Sequence, residues 1–327
     1  MAQGTSAAPD AASPATPRGD RTGTGIEFRN VHKVFKQGRK SVTALEDVNI
    51  TIQPGSIVGI IGYSGAGKST LLRLICGIYR PDKGNVTLDG KNIYENPPLK
   101  SRLAFVPDEL YFLPQSSLAR MKKAYAAVYP RFDPARYAEL LQVFHLEENA
   151  NLNTFSKGMR RQAAMVLALS CRADFLFLDE TFDGLDPILR NLVKKLLYAD
   201  VAERGCTAVL TSHSLRELED TCDQLALLHK GGLVLESDVQ KLKTTLFKVQ
   251  IAFDHAYDHT VFSGFDVLNF TKHGSVSNLI VRGDREAVTQ ALRTKSPVLL
   301  EVLPLSLEEV FLYEMESLGY AFDDEIR

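Results

Sequence analysis

Apolar and polar residues alternate through residues 26–35 (IEFRNVHKVF) and again through 44–52 (ALEDVNITI), the period of two that marks half-buried strands. With the polar stretch KQGRKS between them, they predict an antiparallel β-layer. The run IVGIIG at 57–62 is continuously apolar, as a strand covered on both faces must be. Helical spacing of Leu71, Leu74 and Ile75 follows at once, so this stretch reads strand, loop, helix. FLFL at 175–178 and TAVLTS at 207–212 are two further buried-strand runs, with amphipathic helical segments between and after them. Strands alternating with helices predict an α/β core around a parallel sheet. Residues 113–170 interpose helical material, in which Asp133 is placed to cap a helix with Pro134 at its first position. Tyr137, Leu140, Leu141 and Phe144 then share one face of that helix as core.

After Lys243 the pattern changes to four strands, KVQIAF, FDVLNF, SNLIVRG and VLLEVL, with one helix around residues 287–292. A last helix begins at Ser306, where Ser306 and Glu309 form a capping box ahead of Leu307, Phe311, Met315 and Leu318. The expected division is a disordered tail over 1–25, a main unit over 26–243 containing a helical subdomain at about 109–170, and an α+β accessory domain over 244–327. The tail is almost entirely Ala, Pro, Gly, Ser and Thr and lacks the apolar core of a secretory signal.

Composition then removes several function classes. Apolar residues make up 45% of the 327, and 38 Lys+Arg against 40 Asp+Glu leave a net charge of −2, which suits neither a disordered chain nor a polybasic partner of nucleic acid. The longest uncharged stretch, 48–67, holds Asn49, Thr51, Gln53, Pro54 and five glycines, so no bilayer span is expected. Cys76, Cys171, Cys206 and Cys222 have no CxxC spacing and apolar neighbours, which makes them reduced core thiols. Of the seven histidines only His255 and His259 stand at HxxxH spacing, in a polar, loop-like stretch, and none forms the HExxH pair of a zinc enzyme.

The chemistry is concentrated in two places. Residues 62–70, GYSGAGKST, match the phosphate loop, in which backbone N–H groups wrap a β-phosphate, Lys68 neutralises it and the Ser69 hydroxyl binds Mg²⁺. Gly62, Ser64, Gly65, Ala66, Gly67 and Thr70 are the remaining nucleotide-binding positions of that loop. FLFLDE at 175–180 supplies the complement: an apolar strand ending in Asp179, which can hold Mg²⁺ through water, and Glu180, which can polarise an attacking water. Together they indicate a nucleoside triphosphatase.

Three further segments narrow the reading. Residues 155–159, FSKGM, are similar to the LSGGQ signature of ATP-binding cassette (ABC) proteins; Gly184, Leu185 and Asp186 resemble their D-loop, and Ser212-His213 their switch histidine. The resemblance covers about 26–240 and implies an ABC ATPase, with a P-loop α/β cassette, ATP as substrate and Mg²⁺ as cofactor. It further implies that two chains pair head to tail, so that Ser156 and Gly158 of one meet the γ-phosphate held by the other. A monomer should then be nearly inactive. His213 would hold the attacking water with Glu180, Phe35 would stack on adenine, and Asp186 would lie near the shared nucleotide. Asp108 stands where the family has a glutamine that binds Mg²⁺ and senses the γ-phosphate; its carboxylate can ligate Mg²⁺ but would repel the phosphate oxygens, and Lys157 and Met159 also depart from the signature.

The segment 119–146 resembles the helical subdomain of ATPases driving ABC-2-type exporters, and SLEEVFLYEME at 306–316 resembles their C-terminal extension. This implies a separate ABC-2-type membrane permease docked between core and helical subdomain. It places the chain on the cytoplasmic face of the membrane and implies export of a peptide, antibiotic or polysaccharide-like compound. The alternative is a catalytically weak, nucleotide-gated regulatory subunit, suggested by Asp108 and Lys157. The accessory domain is expected to serve packing or dimer contact.

Overall fold

The structure, a computed structural model, describes residues 25–317. The expected tail, apart from Gly25, and Leu318 of the last apolar stripe lie outside the described residues. Along the chain run β1 (Ile26–Gln37), β2 (Lys40–Ile52), β3 (Ile57–Ile61), α1 (Lys68–Ile75), β4 (Lys83–Leu88), β5 (Lys91–Asn92), α2 (Pro97–Lys100) and β6 (Leu103–Val106). Next come α3 (Leu118–Val128), α4 (Pro134–Val143), α5 (Lys157–Ser170), β7 (Phe175–Leu178), α6 (Pro187–Arg204), β8 (Thr207–Ser212) and α7 (Leu215–Glu219). The chain continues with β9 (Gln224–His229), β10 (Gly232–Asp238), α8 (Val239–Thr245), β11 (Leu246–Ala252), β12 (Asp266–His273), β13 (Val276–Arg282), α9 (Arg285–Arg293), β14 (Leu299–Pro304) and α10 (Leu307–Ser317).

Three sheets form. The first is antiparallel, in the order β2-β1-β4-β5. Its hairpin turns more tightly than KQGRKS suggested, because Gly38 takes a positive φ of 61° and both strands run through the flanking polar residues. The second, β10-β9-β3-β8-β7-β6, is parallel except for β10. The β9–β10 hairpin occupies a stretch in which the sequence analysis named no strand, and its signal is Lys230-Gly231 between two apolar runs.

Continuous apolarity in β3 now has its cause. Val58 and Ile60 pack with α1 and the antiparallel sheet, whereas Ile57 and Ile61 pack with α5 and the helical region. Residues 161–170 of α5 are buried all round, which a helix accepts only when protein covers every side. Asp133 caps α4 as expected, accepting from Ala135 and Arg136 N–H, and Tyr137 and Leu140 are buried beneath it.

The third sheet, β12-β13-β11-β14, is antiparallel and has its own core of Phe247, Val249, Ile251, Phe262, Leu279 and Val281. The helix after it belongs elsewhere. Leu307, Val310, Phe311 and Met315 of α10 join the core of the main unit, and the expected capping box forms, with Ser306 and Glu309 bonded to each other.

All four cysteines are free and buried. Burial pushes each thiol up, Cys206 to about 11 and the other three further. Only the thiolate is nucleophilic, so at pH 8 the folded chain should leave a disulfide-exchange reagent unreacted and release four equivalents in guanidinium. A thiol titrating rapidly in the folded protein would contradict this burial.

Candidate functional site

The carboxyl ends of β3, β8, β7 and β6 lie side by side, and each is followed by a segment singled out by its chemistry. Residues 62–67 connect β3 to α1, Asp108 follows β6, Asp179 and Glu180 follow β7, and His213 follows β8. Strand order β3-β8-β7 puts His213 between the phosphate loop and the carboxylate pair.

The loop is shaped by its glycines. Gly67 has φ 109°, and a Cβ there would come within 2.6 Å of the Ala44 carbonyl; a Cβ on Gly62 would come within 2.5 Å of the Leu228 carbonyl. Helix α1 starts at Gly67 with no side-chain cap and no acidic residue in its first turn, which leaves its positive end for an anion.

A cleft of about 700 Å³ is lined by Ser64, Gly65, Ala66, Gly67, Lys68, Ser69 and Thr70, with Asp108, Glu180 and His213 across from them. Val42, Thr43, Ala44, Tyr63 and Asp183, which the motifs did not single out, complete its wall. Lys68 is buried, and its Nζ donates to the carbonyls of Gly62 (2.6 Å) and Tyr63 (3.2 Å) and lies 3.1 Å from Oε1 of Glu180. The other oxygen of Glu180 is 3.0 Å from Nδ1 of His213. Glu180 has a left-handed backbone, φ 47°, a conformation costing on the order of 1–3 kcal/mol in a non-glycine residue.

Thr211, in β8, explains part of how that conformation is held. Its Oγ accepts the Glu180 N–H at 2.9 Å and donates to Oδ1 of Asp179 at 2.7 Å. Asp179 is wholly buried, and its Oδ2 has no hydrogen-bond partner. Asp179 is not in the wall of the cleft; its leftover buried carboxylate oxygen, at the end of β7, is of the kind that suits a hydrated cation. Among the described residues no three His, Cys, Asp or Glu side chains cluster as a metal cage.

Other positions lie away from this cleft or are already engaged. Gly62 lines a neighbouring cavity of about 460 Å³, walled by His213, Ser214 and Leu215 on one side and by Ser306, Phe311 and Met315 on the other. Phe35 packs edge-on against Tyr79 at 5.2 Å, outside the lining, although its strand neighbour Val42 is part of it. Asp186 caps α6 through Ile188 and Leu189 N–H, and Ser156 caps α5 through Met159 N–H, with Gly158 beside it on the exposed end of that helix. None of these three is in the wall of this chain's cleft. Asp108 is in the wall, but its Oδ1 is held by Arg161 at 2.5 Å, a partner the sequence reading did not find.

The family model for ABC transporters matches residues 45–183. The ABC transporter ATP-binding protein YtrB of Bacillus subtilis is 30% identical over 287 residues, covering 88% of this chain and 97% of that protein. The chain belongs to the ABC transporter ATPase family. This ABC ATPase is also 34% identical over 231 residues to the methionine import ATP-binding protein MetN of Corynebacterium jeikeium, covering 68% of this chain and 63% of that one. The ATP-binding subunit of an ABC transporter matches it at TM-score 0.61 and 25% identity, over 67% of this chain and 92% of the other. A dimeric bacterial ABC transporter cassette, MJ0796, matches at TM-score 0.59 and 26% identity, over 65% and 98%. The expected P-loop cassette and the ATPase activity are thereby shown, and members of the family work as dimers with a membrane permease. No helix among the described residues is long and apolar enough to cross a membrane.

Thr211→Val in this ABC ATPase removes one hydroxyl and leaves both the Glu180 N–H and Asp179 Oδ1 without it. Stability should fall by about 1–3 kcal/mol in urea unfolding, with a parallel loss of ATP turnover. Unchanged stability and turnover would show that the hydroxyl does not hold the carboxylate pair.

Proposed function

We propose that this chain hydrolyses ATP to drive a separate membrane permease, and that two copies, or this chain and a related one, must pair head to tail to do so. The supporting observation is the Glu180 carboxylate, set between Lys68 of the phosphate loop and His213. The cleft around it lacks Ser156 and Gly158 of the same chain, leaving room for those of a partner.

In this reading the loop N–H groups and the open end of α1 bind the phosphates, and Lys68 exchanges its carbonyl and carboxylate partners for phosphate oxygen. Ser69 directly and Asp179 through water would hold Mg²⁺, which supplies charge neutralisation when bound. Glu180 places a water in line with the γ-phosphate, and His213 keeps that carboxylate turned toward the water. Phosphoryl transfer needs little covalent help from protein, so this placement carries most of the catalysis. Phe35 would lie at the adenine end, beside Val42 of the wall.

We further infer a cassette unit over 26–243 and an accessory unit over 244–327 whose helix α10 packs into the cassette core, at the cytoplasmic face of the membrane under an ABC-2-type permease. Export rests on the resemblance of 119–146 and 306–316 to exporter ATPases. The name of the YtrB relative gives no direction and the MetN relative is a methionine import protein, so that resemblance alone supports export.

Glu180→Gln should lower Mg-ATP turnover by about 10²–10⁴-fold while keeping ATP bound. With ATP present the variant should double in mass by light scattering. A wild type no faster than the variant would overturn the ATPase role of Glu180, and a variant that stays monomeric with ATP bound would overturn the head-to-tail pairing.

A further inference from the structure

Among the described residues Arg161 is the most deeply buried cation, with 1% of its side chain exposed. It lies in α5, five residues beyond Ser156, and its guanidinium bonds three acceptors in two segments, one after β6 and one after β7. Nη2 donates to Oδ1 of Asp108 after β6; Nη1 donates to the carbonyl of Glu180 and to that of Asp183. A guanidinium withdrawn from water in this way is tolerated only where charge and N–H groups are matched, and the planar fork suits three acceptors around one point.

Two consequences follow from those partners. The Glu180 N–H is held by Thr211 and its carbonyl by Arg161, so both flanking peptide planes of a left-handed residue are anchored. Rotation of either plane would swing the carboxylate away from Lys68 and His213. Asp108, whose side chain is 48% exposed, faces the same cleft as the phosphate loop, where a bare negative charge would repel phosphate. The Arg161 charge cancels it.

We propose that Arg161 is a positioning residue for ATP hydrolysis: it sets the Glu180 backbone and, separately, neutralises Asp108 so that a carboxylate is tolerated in the wall of the phosphate cleft. The proposal rests on the reading of Glu180 as the group that places the attacking water.

The two roles separate in a set of variants assayed for Mg-ATP turnover, for ATP affinity by titration calorimetry and for melting temperature. Arg161→Met should lower kcat about 100-fold through misplacement of Glu180 and weaken ATP about tenfold by leaving Asp108 unpaired. Adding Asp108→Asn should return ATP affinity to within about threefold of wild type while kcat stays low, because the Glu180 carbonyl is still unheld. Arg161→Lys keeps the charge without the fork and should keep ATP affinity while losing kcat about tenfold. General loss of packing would not restore one quantity and leave the other. A kcat for Arg161→Met within about threefold of wild type, or recovery of kcat in the double variant, overturns the proposal. If Arg161→Met does not fold, Arg161→Lys decides: wild-type kcat overturns the proposal and a selective kcat loss supports it. A wild type no faster than Glu180→Gln would instead remove the role of Glu180, and is distinct from a fast wild type matched by fast Arg161 variants.

Discussion

A strand covered on both faces can offer chemistry only at its ends. In β3, β7 and β8 every residue is buried, one face against α1 and the antiparallel sheet, the other against α5 and its neighbours. Parallel pairing then aligns the ends, so that the phosphate loop, the carboxylate pair and His213 meet without any one of them being near another in sequence. The hydrophobic burial that stabilises the layers is thus also what gathers the polar groups.

Several of the charged groups gathered there are buried, and their bonds show how that is reconciled. Asp179 is wholly buried, yet one of its oxygens is satisfied by Thr211; the same hydroxyl receives the N–H of Glu180. Lys68 is buried against two carbonyls and a carboxylate, and Arg161 against one carboxylate and two carbonyls. Each cation thereby reaches segments that the sheet alone would leave independent, which links backbone geometry to the placement of charge.

Much of this was legible in the sequence because its signals are local. The phosphate loop announces itself within nine residues, the FLFLDE strand within six, and the Ser306 capping box within four. Asp133 and Pro134 likewise mark the start of α4 unaided. The β9–β10 hairpin was less legible, since a run such as LALLH fits a buried strand and a helix equally and only its pairing with β3 and β10 decides. Arg161 was illegible for a different reason. Its partners are 19, 22 and 53 residues away, and in sequence it is one more cation in a helix rich in them. Asp108 could be identified as unusual by its place after LAFVP, but what cancels its charge could not.

The two glycines that shape the phosphate loop also act on a larger scale. Gly62 lies against the Leu228 carbonyl of the parallel sheet, and Gly67 against the Ala44 carbonyl of the antiparallel one. The loop is therefore a spacer, one backbone thick, wedged between two layers whose distance apart is set by some two dozen core side chains. A methyl group added or removed far inside that core alters the gauge into which the loop must fit. In this fold the tolerance of the nucleotide cleft is a property of the interlayer packing, and substitutions that touch no nucleotide-binding residue can still open or close it by tenths of an ångström.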